Sequence, residues 1–207
     1  MIGANDYHQK WPVVLASGSA TRASVLRQAG VGFSIHAAEI DEGAVKNSMR
    51  VANRSALDTA QALSDLKASQ VSVSYPEALV IGSDQMLARD EAWLDKPKNL
   101  LRAREQLLSL RGRNHQLLTA VSVARGGAVI WRDCATSELV MRNFSDEFLD
   151  RYLESEKNDV CDSVGGYRLE GRGIQLFSRV DGVYFDILGL PLVSLLNFLR
   201  EHGAIEQ

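Results

Sequence analysis

The sequence predicts an α/β protein with a mixed twisted sheet and flanking helices. Short apolar runs at residues 13–15 and 78–82 are rich in β-branched side chains and too short for helices, which is typical of buried strands. Stretches with helical spacing and capping residues alternate with such runs, for example Asn99 before residues 100–110. Two long β-rich arms flank Gly126-Gly127, a sequence typical of a hairpin turn. This order of elements indicates the fold class.

In the first part of the chain, Ser19 is a natural N-cap for a short helix that Gly30 terminates. The alternating residues 31–35 predict a second strand. Small apolar residues at helical spacing predict helix throughout residues 43–69. We expect residues 71–77 to form a loop before the next strand.

In the last part of the chain, Ser145 is an N-cap for a helix that ends near residue 155. Residues 174–177 and 184–188 are predicted to form strands around a turn at Asp181-Gly182. Pro191 then starts the last helix, because proline is well suited to the first turn.

The composition is that of an ordinary globular protein, with 24% charged and 45% hydrophobic residues over 207 positions. We expect a single domain covering residues 1–207, with residues 1–12 as an N-terminal extension. The net charge of −3 argues against a nucleic-acid partner. The longest apolar stretch, residues 188–199, is too short to cross a membrane, and no secretory signal pattern is expected. Cys134 and Cys161 indicate reduced thiols in a cytoplasmic protein.

Several stretches combine residue types that suit phosphate and metal chemistry. Residues 15–22 form a small-residue turn at a helix N-terminus, which suits a phosphate, and Arg22 would add a charged donor. The acidic residues 39–42 suit a metal or a water, and Asp84 follows a buried strand, where α/β proteins place catalytic groups. Lys96 precedes a proline and so lies on extended backbone. Each feature also has an ordinary explanation: a capped helix, a solvated loop, a capped turn or a solvated lysine.

Five stretches in this order resemble those of the Maf family of nucleoside triphosphate pyrophosphatases, and the resemblance covers nearly the whole chain. They are Leu15-Ala-Ser-Gly-Ser-Ala-Thr-Arg22, Glu39-Ile-Asp-Glu42, Ile81-Gly-Ser-Asp-Gln85, Lys96-Pro97 and Gly189-Leu-Pro-Leu192. The resemblance implies two lobes around a nucleotide cleft, as in Maf and ITPase-like folds. It also implies hydrolysis of a nucleoside triphosphate to the monophosphate and pyrophosphate.

The resemblance implies roles for individual residues as well. Asp84 matches the family's proposed proton acceptor and, with Glu42, would hold a divalent metal cation such as Mg, Mn or Co. Ser17, Arg22 and Lys96 would bind the phosphates of the substrate. Family members often dimerise, so we expect that a homodimer can form.

Within the family, the chain is closer to the branch associated with 7-methyl-GTP than to the dTTP and UTP branch. Gln85 and Glu170 match the first branch, and a carboxylate suits a cationic methylated guanine whose N1 and N2 edges donate hydrogen bonds. Tyr167 would stack on that base. Thr21 departs from both branches, which have Trp or Arg there. The predicted specificity residues are therefore Thr21, Gln85 and Glu170.

The family's helical pattern LAxxKA would place a lysine at Thr59. One triphosphate-binding cation is then missing, unless Lys67 or Arg54 takes its place. The alternatives to a 7-methyl-GTP pyrophosphatase are a weakly active or inactive Maf-like nucleotide-binding regulator of division or septum formation, and a dTTP/UTP pyrophosphatase. A structural α/β domain without activity is a further alternative.

Overall fold

The computed structural model describes residues 10–206, which form one mixed seven-stranded sheet with helices packed against it. The strands are β1 (Val13–Leu15), β2 (Ser34–Ile35), β3 (Leu79–Arg89), β4 (Ala92–Leu94), β5 (Asn114–Arg125), β6 (Ala128–Met141) and β7 (Phe177–Asp181). The α-helices are α1 (Ala20–Gln28), α2 (Glu42–Val51), α3 (Ala56–Ser74), α4 (Leu100–Leu110), α5 (Asp146–Glu156), α6 (Tyr184–Ile187) and α7 (Leu192–Glu201). Short 3₁₀ helices cover Lys157–Asp162, Val164–Gly166 and Arg172–Leu176.

The sheet has a notch at the middle of its central strand. The strand order is β2-β1-β3-β5-β6-β7, and β4 also pairs with β3. One edge of β3 pairs with β5, whereas the other edge pairs with β1 as far as Ile81 and with β4 only from Leu87 onward. Within the described chain, residues 82–86 of β3 therefore pair with β5 alone. This gap opens the sheet where Asp84 lies.

Two large apolar cores lie on either side of the notch. The first packs α1 and α7 against β1 and the start of β3, with Leu26 and Leu195 fully buried. The second packs α4 and α5 against the end of β3 and β6, with Leu107 and Tyr152 at its centre. Side chains of such size that leave water entirely contribute about 1.5–3 kcal/mol each. Two separate cores agree with the predicted two lobes around a cleft.

Elements with strong local signals are confirmed. Ser19 and Asn99 accept hydrogen bonds from the first turns of α1 and α4, as their N-cap positions predict. The β5–β6 hairpin turns at Gly126-Gly127, where both glycines have positive φ. The prediction of α/β architecture with a mixed sheet is correct.

The helical prediction for residues 43–69 is partly wrong, because the structure has two helices there. Asn53 adopts a φ of 49°, which ends α2. Ser55 and Asp58 then form a capping box that starts α3. This helix continues to Ser74, so most of the predicted loop at residues 71–77 is helical. Burial of Val71 against β3 explains the extension.

Three predicted strands are also corrected. Residues 31–35 contribute only the two-residue strand β2, and residues 174–177 mostly form a 3₁₀ helix before β7. Residues 184–188 form α6 rather than a strand. Gly182 crosses closely over Ser137, since a Cβ at Gly182 would lie 2.3 Å from the Ser137 hydroxyl, and the chain leaves the sheet at that crossing. Asp84 lies within β3 rather than at its end.

Most of the predicted N-terminal extension, residues 1–12, lies outside the described residues. No helix within residues 10–206 is long and apolar enough to cross a bilayer.

Candidate active site

A cleft of about 830 Å³ lies over the notch in the sheet. The N-terminus of α1, the start of α2, the middle of β3, residues 95–96 after β4 and the segment 159–170 contribute to its lining. All eight residues that the sequence predicts for the site line this cleft: Ser17, Thr21, Arg22, Glu42, Asp84, Gln85, Lys96 and Glu170. They are separated by up to 153 positions in the chain but meet in one place.

Gly82 lets α3 approach the central strand beside the site. A Cβ built on Gly82 would lie 2.3 Å from the Ser64 carbonyl oxygen and 2.6 Å from the Ala68 nitrogen. Both atoms belong to the α3 backbone, so they cannot move without moving the helix. The close approach brings Lys67 of α3 to Asp84, because residues 82 and 84 share one face of β3.

Replacing Gly82 with alanine is therefore expected to lower the free energy of unfolding by about 3 kcal/mol, at the upper end of the usual cost of overpacking. The measurement is the denaturant midpoint and slope. Gly18→Ala is the matched control, because the nearest atom to a Cβ at Gly18 is Ala37 Cβ at 3.9 Å. Equal midpoints for the two variants would contradict the close-approach argument.

Lys67 joins the two predicted metal-binding carboxylates. Its ammonium nitrogen donates to Asp84 Oδ1 at 2.6 Å and lies 2.7 Å from Glu42 Oε1. The Lys67 and Asp84 side chains are 9% and 7% exposed, whereas that of Glu42 is 45% exposed. A buried charge pair of this kind is stable only while both partners are present.

Thr59 does not occupy the position of the family lysine. It is fully buried, and its hydroxyl donates to the Ser55 carbonyl oxygen at 2.8 Å within α3. The pattern LAxxKA fits residues 63–68 better, with Ser64 in place of its first alanine and Lys67 before Ala68. Of the two replacements considered for the missing cation, Lys67 lines the cleft, whereas Arg54 is exposed and does not.

The pKa values of the two carboxylates shift in opposite directions. Burial raises the pKa of Asp84, with Glu42 adding to the rise and Lys67 and Arg22 opposing it. Burial alone would raise the pKa of Glu42. The hydrogen bond and charge of Lys67, with the charges of Lys46 and Lys96, lower that pKa overall. A less solvated Asp84 and a more solvated Glu42 explain the difference. Asp84 is therefore the more basic of the two carboxylates.

Two hydrogen bonds from its guanidinium hold the Arg22 side chain at the N-terminus of α1. Its Nε donates to the Gly189 carbonyl oxygen at 2.7 Å, and its Nη1 donates to Ser17 Oγ at 3.1 Å. Gly189 has a φ of 92°, and a Cβ there would lie 3.3 Å from Arg22 Nε, so glycine suits this position. Burial lowers the pKa of Arg22, and Asp84 and Glu42 act against that shift.

Two more lysines line the same part of the cleft. Lys46 donates to Asp95 at 2.6 Å, and Lys96 is exposed on the extended chain before the buried Pro97. Together with Arg22 and Lys67 they make four cations against three carboxylates around the notch. Such a group of positive charges suits the oxygens of a polyphosphate.

Where segment 159–170 lines the cleft, its charged side chains are mostly acidic. Here Asp159, Asp162 and Glu170 line the cleft with one cation, Arg168. Arg168 bonds Asp159 at 2.9 Å and Glu170 at 3.4 Å. Negative charge therefore exceeds positive charge in this part of the lining.

Tyr167 is among the residues that line the cleft, but little of its surface is exposed. It is 4% exposed, and its hydroxyl is bonded to His115 Nε2 at 2.9 Å within the second core. Its ring packs edge-on against Phe177. Core packing thus covers most of the ring, and the stacking on a base stays a prediction. Burial, with the charge of Arg89, lowers the pKa of His115 to about 4, so this histidine is neutral at pH 7.

Thr21 and Gln85, the remaining predicted specificity residues, differ in their contacts with the protein. Thr21 is half-buried in the first turn of α1. The amide nitrogen of Gln85 donates to Thr119 Oγ1 at 2.8 Å and to the carbonyl oxygens of Asp186 and Ile187, each at 3.1 Å. Sequence reasoning did not anticipate these contacts, since they join segments that are a hundred residues apart.

The donor set fits a metal ion that binds together with a substrate. Within residues 10–206 no three His, Cys, Asp or Glu side chains gather to hold a metal by themselves. Glu42 and Asp84 are, however, close enough to share Lys67. Magnesium is commonly held by one or two carboxylates plus substrate phosphates, so two carboxylates suffice.

A mixed sheet interrupted at a buried carboxylate–lysine pair, with cations grouped beside it, defines an α/β enzyme with a cleft for a phosphorylated substrate. The family to which the chain belongs narrows this class of enzyme further. The chain belongs to the family of Maf-like proteins, whose model matches residues 12–202.

Curated relatives cover almost the whole chain. A nucleoside triphosphate pyrophosphatase of Granulibacter bethesdensis is 51% identical over 193 residues, which are 93% of this chain and 98% of the relative. One from Paramagnetospirillum magneticum is 50% identical over 93% of this chain and 99% of the relative. A 7-methyl-GTP pyrophosphatase of Rhizobium meliloti is 43% identical over 94% of this chain and 98% of the relative.

Proposed function

We propose that this chain hydrolyses 7-methyl-GTP to the monophosphate and pyrophosphate in the cleft over the β3 notch. The coarser activity follows from the family and its relatives: the chain is a nucleoside triphosphate pyrophosphatase. The preference for a methylated guanine is the proposed refinement. The name of the Rhizobium meliloti relative supports it, and so does the charge of the cleft.

The observation that carries the proposal is the uneven charge along the cleft lining. Four cations around the notch suit the triphosphate. The acidic excess on segment 159–170 suits a positively charged base, which 7-methylguanine is and the ordinary guanine, thymine and uracil bases are not. Glu170 in this segment would accept from the N1 and N2 edges of the base.

In this proposal Asp84 removes a proton from the attacking water. The water oxygen forms a bond to the α-phosphorus, the bond from that phosphorus to the bridging oxygen breaks, and pyrophosphate leaves. A raised pKa suits Asp84 to this role, because a base near the working pH accepts a proton most effectively. Arg22, Lys67 and Lys96 would stabilise negative charge on the phosphate oxygens.

A divalent metal cation would be held by Glu42 and Asp84 with oxygens of the substrate. When bound, it would supply a Lewis acid that withdraws charge from the phosphate oxygens. Ser17, at 7% exposure, and the first-turn amides of α1 would complete the phosphate contacts.

Replacing Glu170 with glutamine is expected to lower the ratio of kcat/KM for 7-methyl-GTP over GTP about tenfold. The reason is that a charged acceptor is replaced by a neutral one, a change of about 1.4 kcal/mol. Steady-state kinetics on both nucleotides measure this ratio.

The matched control is Glu154→Gln, which changes an exposed carboxylate of α5 that does not line the cleft. Its ratio should equal that of the wild type. An unchanged ratio in Glu170→Gln would remove the base-recognition role from Glu170.

A further inference from the structure

We infer that Gln85 is a positioning residue for Arg22, acting through the turn at residues 186–189. The inference rests on the proposed function, because it takes Arg22 as a ligand of the polyphosphate. It assigns to Gln85 an effect on phosphate binding, which a ligand without a base can measure.

The first step is the attachment of the turn to the sheet. The Gln85 amide nitrogen has two hydrogens and three acceptors, of which two are the carbonyl oxygens of Asp186 and Ile187. Thr119 on the neighbouring strand β5 adds a bond from its hydroxyl to the same Asp186 oxygen at 2.9 Å. Gln85 and Thr119 are direct cross-strand partners, so they hold the turn as a pair.

The second step links the turn to Arg22. The Gly189 nitrogen donates back to the Asp186 oxygen at 3.0 Å, which closes the turn. The Gly189 carbonyl oxygen then accepts from Ser83 Oγ at 2.8 Å and from Arg22 Nε at 2.7 Å. The position of this carbonyl therefore determines where the Arg22 guanidinium lies.

The pleat of β3 separates these contacts from the carboxylate–lysine pair. Ser83 and Gln85 share one face of the strand, and Asp84 points to the other face toward α3. Both amide hydrogens of Gln85 are thus used in bonds to Thr119 and to the turn. Loss of the Gln85 side chain should thus loosen the turn, and with it the phosphate-binding guanidinium.

The test measures binding of a ligand that has no base. Inorganic tripolyphosphate is titrated into the full chain by calorimetry with EDTA present, which removes metal-dependent hydrolysis. We expect Gln85→Ala to raise the Kd about tenfold, the scale of a hydrogen bond to a charged group. The kcat/KM values for 7-methyl-GTP and GTP should both fall.

Two further variants separate positioning from general damage. Thr119→Val removes a bond to the same turn from a residue that does not line the cleft, and it should raise the tripolyphosphate Kd in the same direction. In an Arg22→Ala background, Gln85→Ala should add no further loss, because the guanidinium it positions is gone. Thr136→Val, an exposed change on β6, is the control and should leave the Kd unchanged.

An unchanged tripolyphosphate Kd in Gln85→Ala would overturn the inference. Additive losses in the Arg22→Ala background would also overturn it. A wild-type chain that binds tripolyphosphate but hydrolyses no nucleoside triphosphate would instead contradict the proposed function and leave this binding test valid.

Discussion

Asp84→Asn is expected to reduce kcat by about 10²–10⁴-fold, the usual contribution of a positioned general base. The amide keeps the size of the carboxylate and can still accept from Lys67, but it cannot take a proton from water. Nucleotide affinity should change only a few-fold, because Arg22, Lys67 and Lys96 remain. Single-turnover kinetics and equilibrium binding measure the two effects separately.

A suitable control for this variant is Asp181→Asn, which neutralises an exposed carboxylate on β7 outside the cleft. Its kcat should match that of the wild type. Normal turnover by Asp84→Asn would exclude Asp84 as the base, and a loss seen only in substrate affinity would make it a binding residue.

Lys67→Met is expected to lower the free energy of unfolding at pH 7 by about 3–5 kcal/mol, because it leaves the buried Asp84 carboxylate without its partner. It also removes a charge that lowers the pKa of Asp84, so that pKa rises further. An aspartate whose pKa is raised in the folded state binds protons more tightly there than in the unfolded chain. Stability therefore falls as pH rises from the unfolded pKa through the folded pKa.

The instability of Lys67→Met should accordingly be smallest at low pH and grow toward neutrality. Urea unfolding over a pH series measures this dependence. Adding Asp84→Asn to Lys67→Met should recover much of the loss, since the unpaired Asp84 charge is then removed. Lys46→Met is the comparison, because its partner Asp95 is 57% exposed and such a pair is worth about 1 kcal/mol or less. Equal losses for the two lysine variants would contradict the buried-pair account.

Much of the fold could be predicted because its signals are local. The caps at Ser19 and Asn99 and the Gly126-Gly127 turn are decided within a few residues of the chain. The break at Asn53 has a local signal that the sequence analysis missed, the capping box of Ser55 and Asp58. The helix α6 could not be predicted in the same way, because it follows the close crossing of Gly182 over the distant Ser137.

In the candidate site, too, the features with local signals were predicted and those that depend on distant contacts were not. The eight predicted site residues were found from short motifs, since each motif is a run of neighbouring residues. The link from Lys67 to Asp84 was missed as a primary feature because it depends on the close approach of α3 at Gly82. The burial of Tyr167 was missed for a similar reason, because its partner His115 lies 52 positions away.

The most direct test of the central claim is product analysis for a panel of nucleoside triphosphates, namely 7-methyl-GTP, GTP, dTTP, UTP and ITP, with Mg, Mn or Co and with EDTA. The account predicts equal amounts of monophosphate and pyrophosphate, dependence on the metal, and the highest kcat/KM for 7-methyl-GTP. Highest turnover of dTTP or UTP would contradict the preference for a cationic base. Nucleotide binding without release of pyrophosphate from any of the five would contradict the enzymatic account itself.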